Sequence, residues 1–150
     1  MKFSKVKLHQ IVEKNFNYNS RKIKSTKDIV EFINNFEELD KATEEITILV
    51  CLNTRGQILC YSEIAKGGTN YCNVDMKTIF KLVLLCNASK FILVHNHPSG
   101  NVEISYKDRE VTQRIKKATD IMKIEFVDHI IIGHGNFNSC MKGLENMEKV

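Results

Sequence analysis

Apolar and polar positions along the chain alternate between two periods. Ile29, Val30, Ile33 and Phe36 recur at helical spacing, and Ser25 or Thr26 stands ahead of them as an N-cap. Glu45 to Leu52 is a run of β-branched and apolar residues that predicts a buried strand. Asn53-Thr54-Arg55-Gly56 supplies turn chemistry, and Gln57 to Ala65 reads as the returning strand of a hairpin. Gly67-Gly68 breaks the pattern into a loop. Val74, Ile79, Phe80, Val83 and Leu84 then mark a helix running to about Asn87. Lys90 to Val94 predicts a short central strand, ended by His95-Asn96-His97-Pro98-Ser99-Gly100. A second long helix starts at Ser105, with Val111, Ile115, Ala118 and Met122 on one face. Ile124 to Ile132 is another buried strand, and Gly133-His134-Gly135 turns the chain into a last short strand near Phe137. Strands alternating with helices predict an α/β or α+β domain with a mixed sheet. The first 24 residues are polar and basic, with weak periodicity; Val6 to Val12 fits a short strand or a helix equally well.

Length and composition narrow the class. At 150 residues with 43% hydrophobic residues, the chain suits one domain with a real core rather than a disordered segment. The longest apolar run, Ile46 to Leu52, is far short of a membrane span, and the first residues lack the features of a signal peptide, so a cytoplasmic protein is expected. The five cysteines include no C-x-x-C pair, which disfavours a disulfide framework and a cysteine zinc knuckle; they read as small core residues. The net charge of +4 divides unevenly. Residues 1–28 hold eight Lys/Arg against two Asp/Glu, and the remainder holds fourteen against sixteen. The expected organisation is a basic N-terminal arm over residues 1–24 and a domain over 25–150. The arm is either a solvated lead-in or a phosphate-binding segment.

Candidate chemistry gathers at the end of the central strand. His95 and His97 are two apart, so in an extended chain both imidazoles point to one face. Asp108 falls three residues after Ser105, in the first turn of the following helix, where the helix dipole favours a carboxylate. Two imidazoles and one carboxylate suit zinc and leave a coordination position for water. The same residues also fit a surface His-x-His loop followed by an ordinary Ser-x-x-Asp capping box. His129, in an apolar strand beside Asp128, reads as a buried histidine bonded to a neighbour, or as support for that site. Asn96 and Ser99 shape the turn after the strand. His134 reads as a turn residue, and Cys72 falls in a loop near the site entrance.

The arrangement His95-x-His97, seven residues, Ser105, two residues, Asp108 resembles the JAMM pattern of the MPN/JAB zinc-peptidase superfamily. The longer string HNHPSG with Asp108 eleven residues after His97 resembles the RadC family in particular. The likeness extends to Glu45–Gly56, Glu63-Ile64-Ala65-Lys66-Gly67, Ile79-Phe80-Lys81, Asn87-Ala88-Ser89, Asp128–Gly133, Ser139 and Gly143-Leu144, about residues 23 to 145. Ile104 stands where relatives often have proline, Met76-Lys77-Thr78 replaces Pro-Arg-Glu, and Gly68-Thr69 replaces Thr-Leu; these departures bear on loop shape and substrate choice.

The resemblance implies a single MPN/JAB domain, a mixed sheet flanked by helices as in cytidine-deaminase-like sandwiches. A deaminase itself is disfavoured, because its His-x-Glu and Pro-Cys-x-x-Cys signature is missing. The resemblance also implies a zinc metallopeptidase or isopeptidase in which His95, His97 and Asp108 bind zinc, Glu63 activates the zinc-bound water as general acid/base, and Ser105 stabilises the transition state. A peptide or protein is the expected substrate. The alternative from another class is a DNA-repair-associated binding or accessory protein using the basic arm, although the helix-hairpin-helix module of longer RadC proteins has no counterpart here. A purely structural zinc site would usually show a fourth protein ligand.

Overall fold

The computed structural model describes residues 22–67 and 74–147. The first helix, α1 (Thr26–Glu37), begins where the sequence supplies a reciprocal cap. Ser25 accepts from the Asp28 amide, and the Asp28 carboxylate accepts from the Ser25 amide. It ends at Glu38, a left-handed residue that leads into a short 3-10 turn, Leu39–Lys41. Strands β1 (Glu45–Leu52) and β2 (Ile58–Gly67) form the expected antiparallel hairpin. Asn53 closes its turn by accepting from the Arg55 and Gln57 amides, with Gly56 at positive φ. The remaining elements are α2 (Met76–Leu85), β3 (Lys90–Asn96), α3 (Tyr106–Met122), β4 (Glu125–Ile132), β5 (Phe137–Ser139) and α4 (Cys140–Met147). No described helix is long and apolar enough to cross a membrane.

The five strands form one sheet in the order β2-β1-β3-β4-β5. Only β3 and β4 run parallel, and α3 is their crossover; the other neighbours are antiparallel. This mixed sheet flanked by helices is the expected α/β class. Alternation along the central strands divides the core in two. Ile48, Val50, Leu52, Ile92, Val94, Ile130 and Ile132 pack against α1 on one face. Leu49, Cys51, Phe91 and Leu93 pack against Ile79 and Val83 of α2 and Ile115 of α3 on the other. His95 continues the second set, two residues beyond Leu93, so the sheet delivers it to the α3 side.

Three elements differ from expectation. β3 continues past Val94 through His95 and Asn96, because β4 pairs with both positions through Ile131 and Ile132. The buried stripe of α3 is Thr112, Ile115 and Thr119, while Met122 is exposed. Helix α4 follows β5 directly and was not legible in the apolar pattern. The expectation for Val6 to Val12, and most of the basic arm, lies outside the described residues.

Candidate metal centre

Two strands and one helix start build the centre. His95 is held near the end of β3, paired with Thr47 of β1 and Ile131 of β4, and is 3% exposed. The next residue, Asn96, ties the strand end to the approach to β1. Its Oδ1 accepts from the Ile46 amide at 2.8 Å, and its Nδ2 donates to the Glu44 and Ala42 carbonyls at 3.0 and 3.3 Å. The chain then leaves the sheet, and His97 donates from Nδ1 to the Asn101 carbonyl at 2.7 Å. The loop is pressed against the turn after β4: a Cβ added at Gly133 would collide with the Gly100 backbone oxygen and with Asn136. That contact carries the loop back to Ser105.

Ser105 caps α3 through the predicted reciprocal box. Its Oγ accepts from the Asp108 amide at 3.1 Å, and Asp108 Oδ2 accepts from the Ser105 amide at 2.8 Å. The Ser105 hydroxyl also donates to Asp108 Oδ2 at 2.5 Å. This leaves Asp108 Oδ1 facing His95 Nε2 at 3.3 Å. Burial alone would raise the Asp108 pKa. The hydrogen bond and charge of His95 and the two Ser105 donors outweigh it and hold the carboxyl well below the usual carboxylate range.

A buried chain of hydrogen bonds fixes the histidine tautomers. Thr112 has one hydroxyl proton, and it goes to the Asp108 carbonyl at 2.5 Å. The same oxygen, 2.7 Å from His129 Nδ1, must therefore accept from it. Burial, followed by the charge of His95, pushes the His129 pKa down, so that ring is neutral and its Nε2 is a lone pair. That lone pair accepts from His95 Nδ1 at 2.9 Å. His97 Nδ1 is likewise taken up by the Asn101 carbonyl, so in both rings the atom that faces the cluster is Nε2, which is a lone pair whenever the ring is neutral. The two Nε2 atoms face each other at 3.0 Å.

Two ring nitrogens that close share either a proton or a cation, and a cation bound by both imidazoles and by Asp108 meets that requirement. His95 Nε2 lies 3.0 Å from His97 Nε2 and 3.3 Å from Asp108 Oδ1, whereas the 3.8 Å approach of His97 is to the other carboxylate oxygen, Oδ2. Ligand atoms about 2.0–2.1 Å from a tetrahedral zinc are about 3.3 Å apart. The donor set and its spacing both fit zinc. His97 and Asp108 are 21% and 12% exposed at their side chains, which leaves one side of the cluster open to solvent. His129 also lies within ligand range of His95 and Asp108, but its Nε2 is occupied by His95 and its role is to orient.

His95, His97, Ser105 and Asp108 are thus brought together. Glu63 is not in contact with them. It is exposed on the edge strand β2, opposite Ile48, and its carboxylate makes no hydrogen bond or ion pair among the described residues. Ile48 belongs to the α1-side core, whereas His95 pairs with Thr47. Thr47 pairs with Ala65, so Ile64 is an extra residue beside Glu63. Strand register reveals a carboxylate that sequence reasoning passed over. Glu45 is two residues before Thr47 on β1 and shares its face, the face on which His95 lies; the β1–β3 pairing itself ends at Thr47 and His95. Its alternation with Thr47 was legible, but the pairing of that strand with the histidine strand was not. Thr112 and Asn101 were missed for a similar reason: their roles exist only once the helix and loop are folded over His95 and His97.

A mixed α/β sheet carries two strand-end histidines and a helix-capped aspartate on one open face, a group of residues that could hold a metal ion. The family model for the RadC-like JAB domain matches residues 23–146, and this chain belongs to that family. Among curated relatives, a UPF0758 protein of Chlorobaculum tepidum is 36% identical over 118 residues, covering 79% of this chain and 52% of the relative. One from Haemophilus ducreyi is 37% identical over 102 residues, covering 68% and 46%. One from Clostridium beijerinckii is 36% identical over 121 residues, covering 81% and 52%. The chain spans about half the length of the curated relatives it matches.

Proposed function

We propose that this chain is a zinc-dependent hydrolase that cleaves a peptide or isopeptide bond. The observation that carries the reading is the convergence of the Nε2 atoms of His95 and His97 beside the Asp108 carboxylate, with solvent access on one side. Zinc held by His95, His97 and Asp108 would supply a water of lowered pKa and a Lewis acid for the substrate carbonyl. The chain's own residues account for the rest. The Thr112–His129–His95 relay engages Nδ1 of His95, and the Asn101 carbonyl engages Nδ1 of His97, so Nε2 is the nitrogen each neutral ring would offer to the metal. Ser105 holds Asp108 in place, and its hydroxyl can turn to an oxyanion only by giving up that bond.

Proton transfer from the water to the leaving amine needs a carboxylate. The family resemblance assigns it to Glu63, while strand register offers Glu45 on the histidine face. Metal analysis together with a peptide and isopeptide cleavage screen tests the reading. About one zinc per chain and a cleavage activity lost in His97→Ala are expected; a folded protein that binds no divalent metal refutes it. The DNA-accessory reading rests on the charge of residues 1–28 and predicts binding that falls steeply with salt and disappears when residues 1–24 are removed.

A further inference from the structure

Three of the cysteines do not behave as separate core residues. Cys51 on β1 and Cys60 on β2 are directly opposite in the ladder, and Cys86 caps the C-terminus of α2 above them. Their sulfur atoms all lie within 4.8 Å of one another, with Cys60 and Cys86 Sγ 2.6 Å apart. Cys51 is buried, and Cys60 and Cys86 are half-buried, so the cluster has a dry base and a wetter rim.

We infer that Cys51, Cys60 and Cys86 form a second metal site, separate from the histidine centre, that takes a thiophilic closed-shell cation, Cu+ or Zn2+. Three sulfurs from three elements converging on one point are a soft donor set, and soft thiolates select these ions over magnesium or calcium. The negative end of α2 faces the cluster, and no basic residue occupies its last turn to compete for that position. The three thiols lose their protons as the ion binds. An ion with metal–sulfur bonds of about 2.3 Å spreads neighbouring sulfurs to about 4 Å, so Cys60 and Cys86 move apart on binding.

The test is a titration of the whole chain, kept reduced with a phosphine, with Cu+ in one arm and Cd2+ as the zinc surrogate in the other. The readout is thiolate-to-metal charge-transfer absorption, which the histidine centre does not produce. Saturation at about one ion per chain is expected. The affinity should fall at least about tenfold in Cys60→Ser and in Cys86→Ser. Cys140→Ser, a buried cysteine outside the group, should leave it unchanged. Tighter retention in the Cu+ arm against a matched chelator identifies copper, and the converse identifies zinc. Circular dichroism confirms that each variant is folded. Absence of the thiolate band in the folded parent, or a band indifferent to both substitutions, overturns the site.

Discussion

Replacing Thr112 by valine removes one hydroxyl from a fully buried position while keeping the side chain's shape. The hydroxyl donates to the Asp108 carbonyl and accepts from His129 Nδ1. Without it, the His129 ring proton has no partner in a residue only 2% exposed. An orphaned buried donor costs about 1–3 kcal/mol. The ring can escape that cost by moving its proton to Nε2, but this nitrogen faces His95 Nδ1 at 2.9 Å. His95 must then carry its own proton on Nε2, the atom that faces His97 and Asp108. Thr112→Val therefore weakens metal binding even though its hydroxyl touches no ligand atom, only the backbone carbonyl of Asp108. Loss of such an orienting partner reduces affinity about 10–100-fold, equivalent to about 1.4–2.8 kcal/mol. Competition against a chromophoric chelator measures the affinity, and thermal unfolding of the metal-free protein measures the stability term. Thr112→Ser keeps the hydroxyl and should recover most of the affinity. Zinc affinity in Thr112→Val within about twofold of the parent would falsify the tautomer argument.

Other expectations follow from the same geometry. If Glu45 transfers the proton, Glu45→Gln lowers kcat by about 10²–10⁴ with zinc content unchanged, and Glu63→Gln stays near parental; the opposite pattern assigns the role to Glu63. Ser105→Ala removes both an N-cap and the anchor of Asp108, so it should cost about 1 kcal/mol in unfolding and about tenfold in metal affinity; a stability loss with unchanged affinity would restrict the serine to capping. Asn96→Ala strands the Ile46 amide and two carbonyls and should destabilise the fold by about 2–4 kcal/mol in denaturant titrations. Zinc at about 1,000 times its dissociation constant should stabilise the protein by about 4 kcal/mol, reversed by a chelator; an unfolding midpoint insensitive to zinc would contradict a native metal site.

Most of the architecture was legible because the strands here are nearly pure signals. Glu45–Leu52 reads as a strand and is one, to the residue. The errors fall where local pattern and tertiary contact disagree. His95 and Asn96 are polar and precede a proline, so they read as loop; pairing with Ile131 and Ile132 holds them in the sheet. Thr112 and Thr119 look like polar interruptions of α3, yet both hydroxyls bond back to carbonyls one turn earlier, which makes them compatible with burial. Helix α4 contains Gly143, a weak helix former. That glycine is used for close packing, since a Cβ there would come within 2.6 Å of Ile104 Cδ1.

The site divides along a similar line. Residues joined by short sequence separation were readable from spacing: His95 with His97 by strand alternation, Ser105 with Asp108 by the capping box. The family likeness joined those two pairs, but it says nothing about which imidazole nitrogen carries a proton. That is decided by His129, thirty-four residues from His95 in sequence, and by Thr112, seventeen residues before His129. His129 cannot be treated as an ordinary core histidine. A core histidine needs only one satisfied bond at each nitrogen, in either tautomer. Here the single proton of the Thr112 hydroxyl, spent on a helix carbonyl, forces one direction along the whole chain of bonds. The consequence reaches the surface of the cluster, where a nitrogen that would otherwise be a hydrogen-bond donor is presented as a ligand. The arrangement of the centre is therefore a property of four elements, β1 and β4 holding the strand, α3 setting the tautomer of His129, and the loop carbonyl of Asn101 orienting the second histidine.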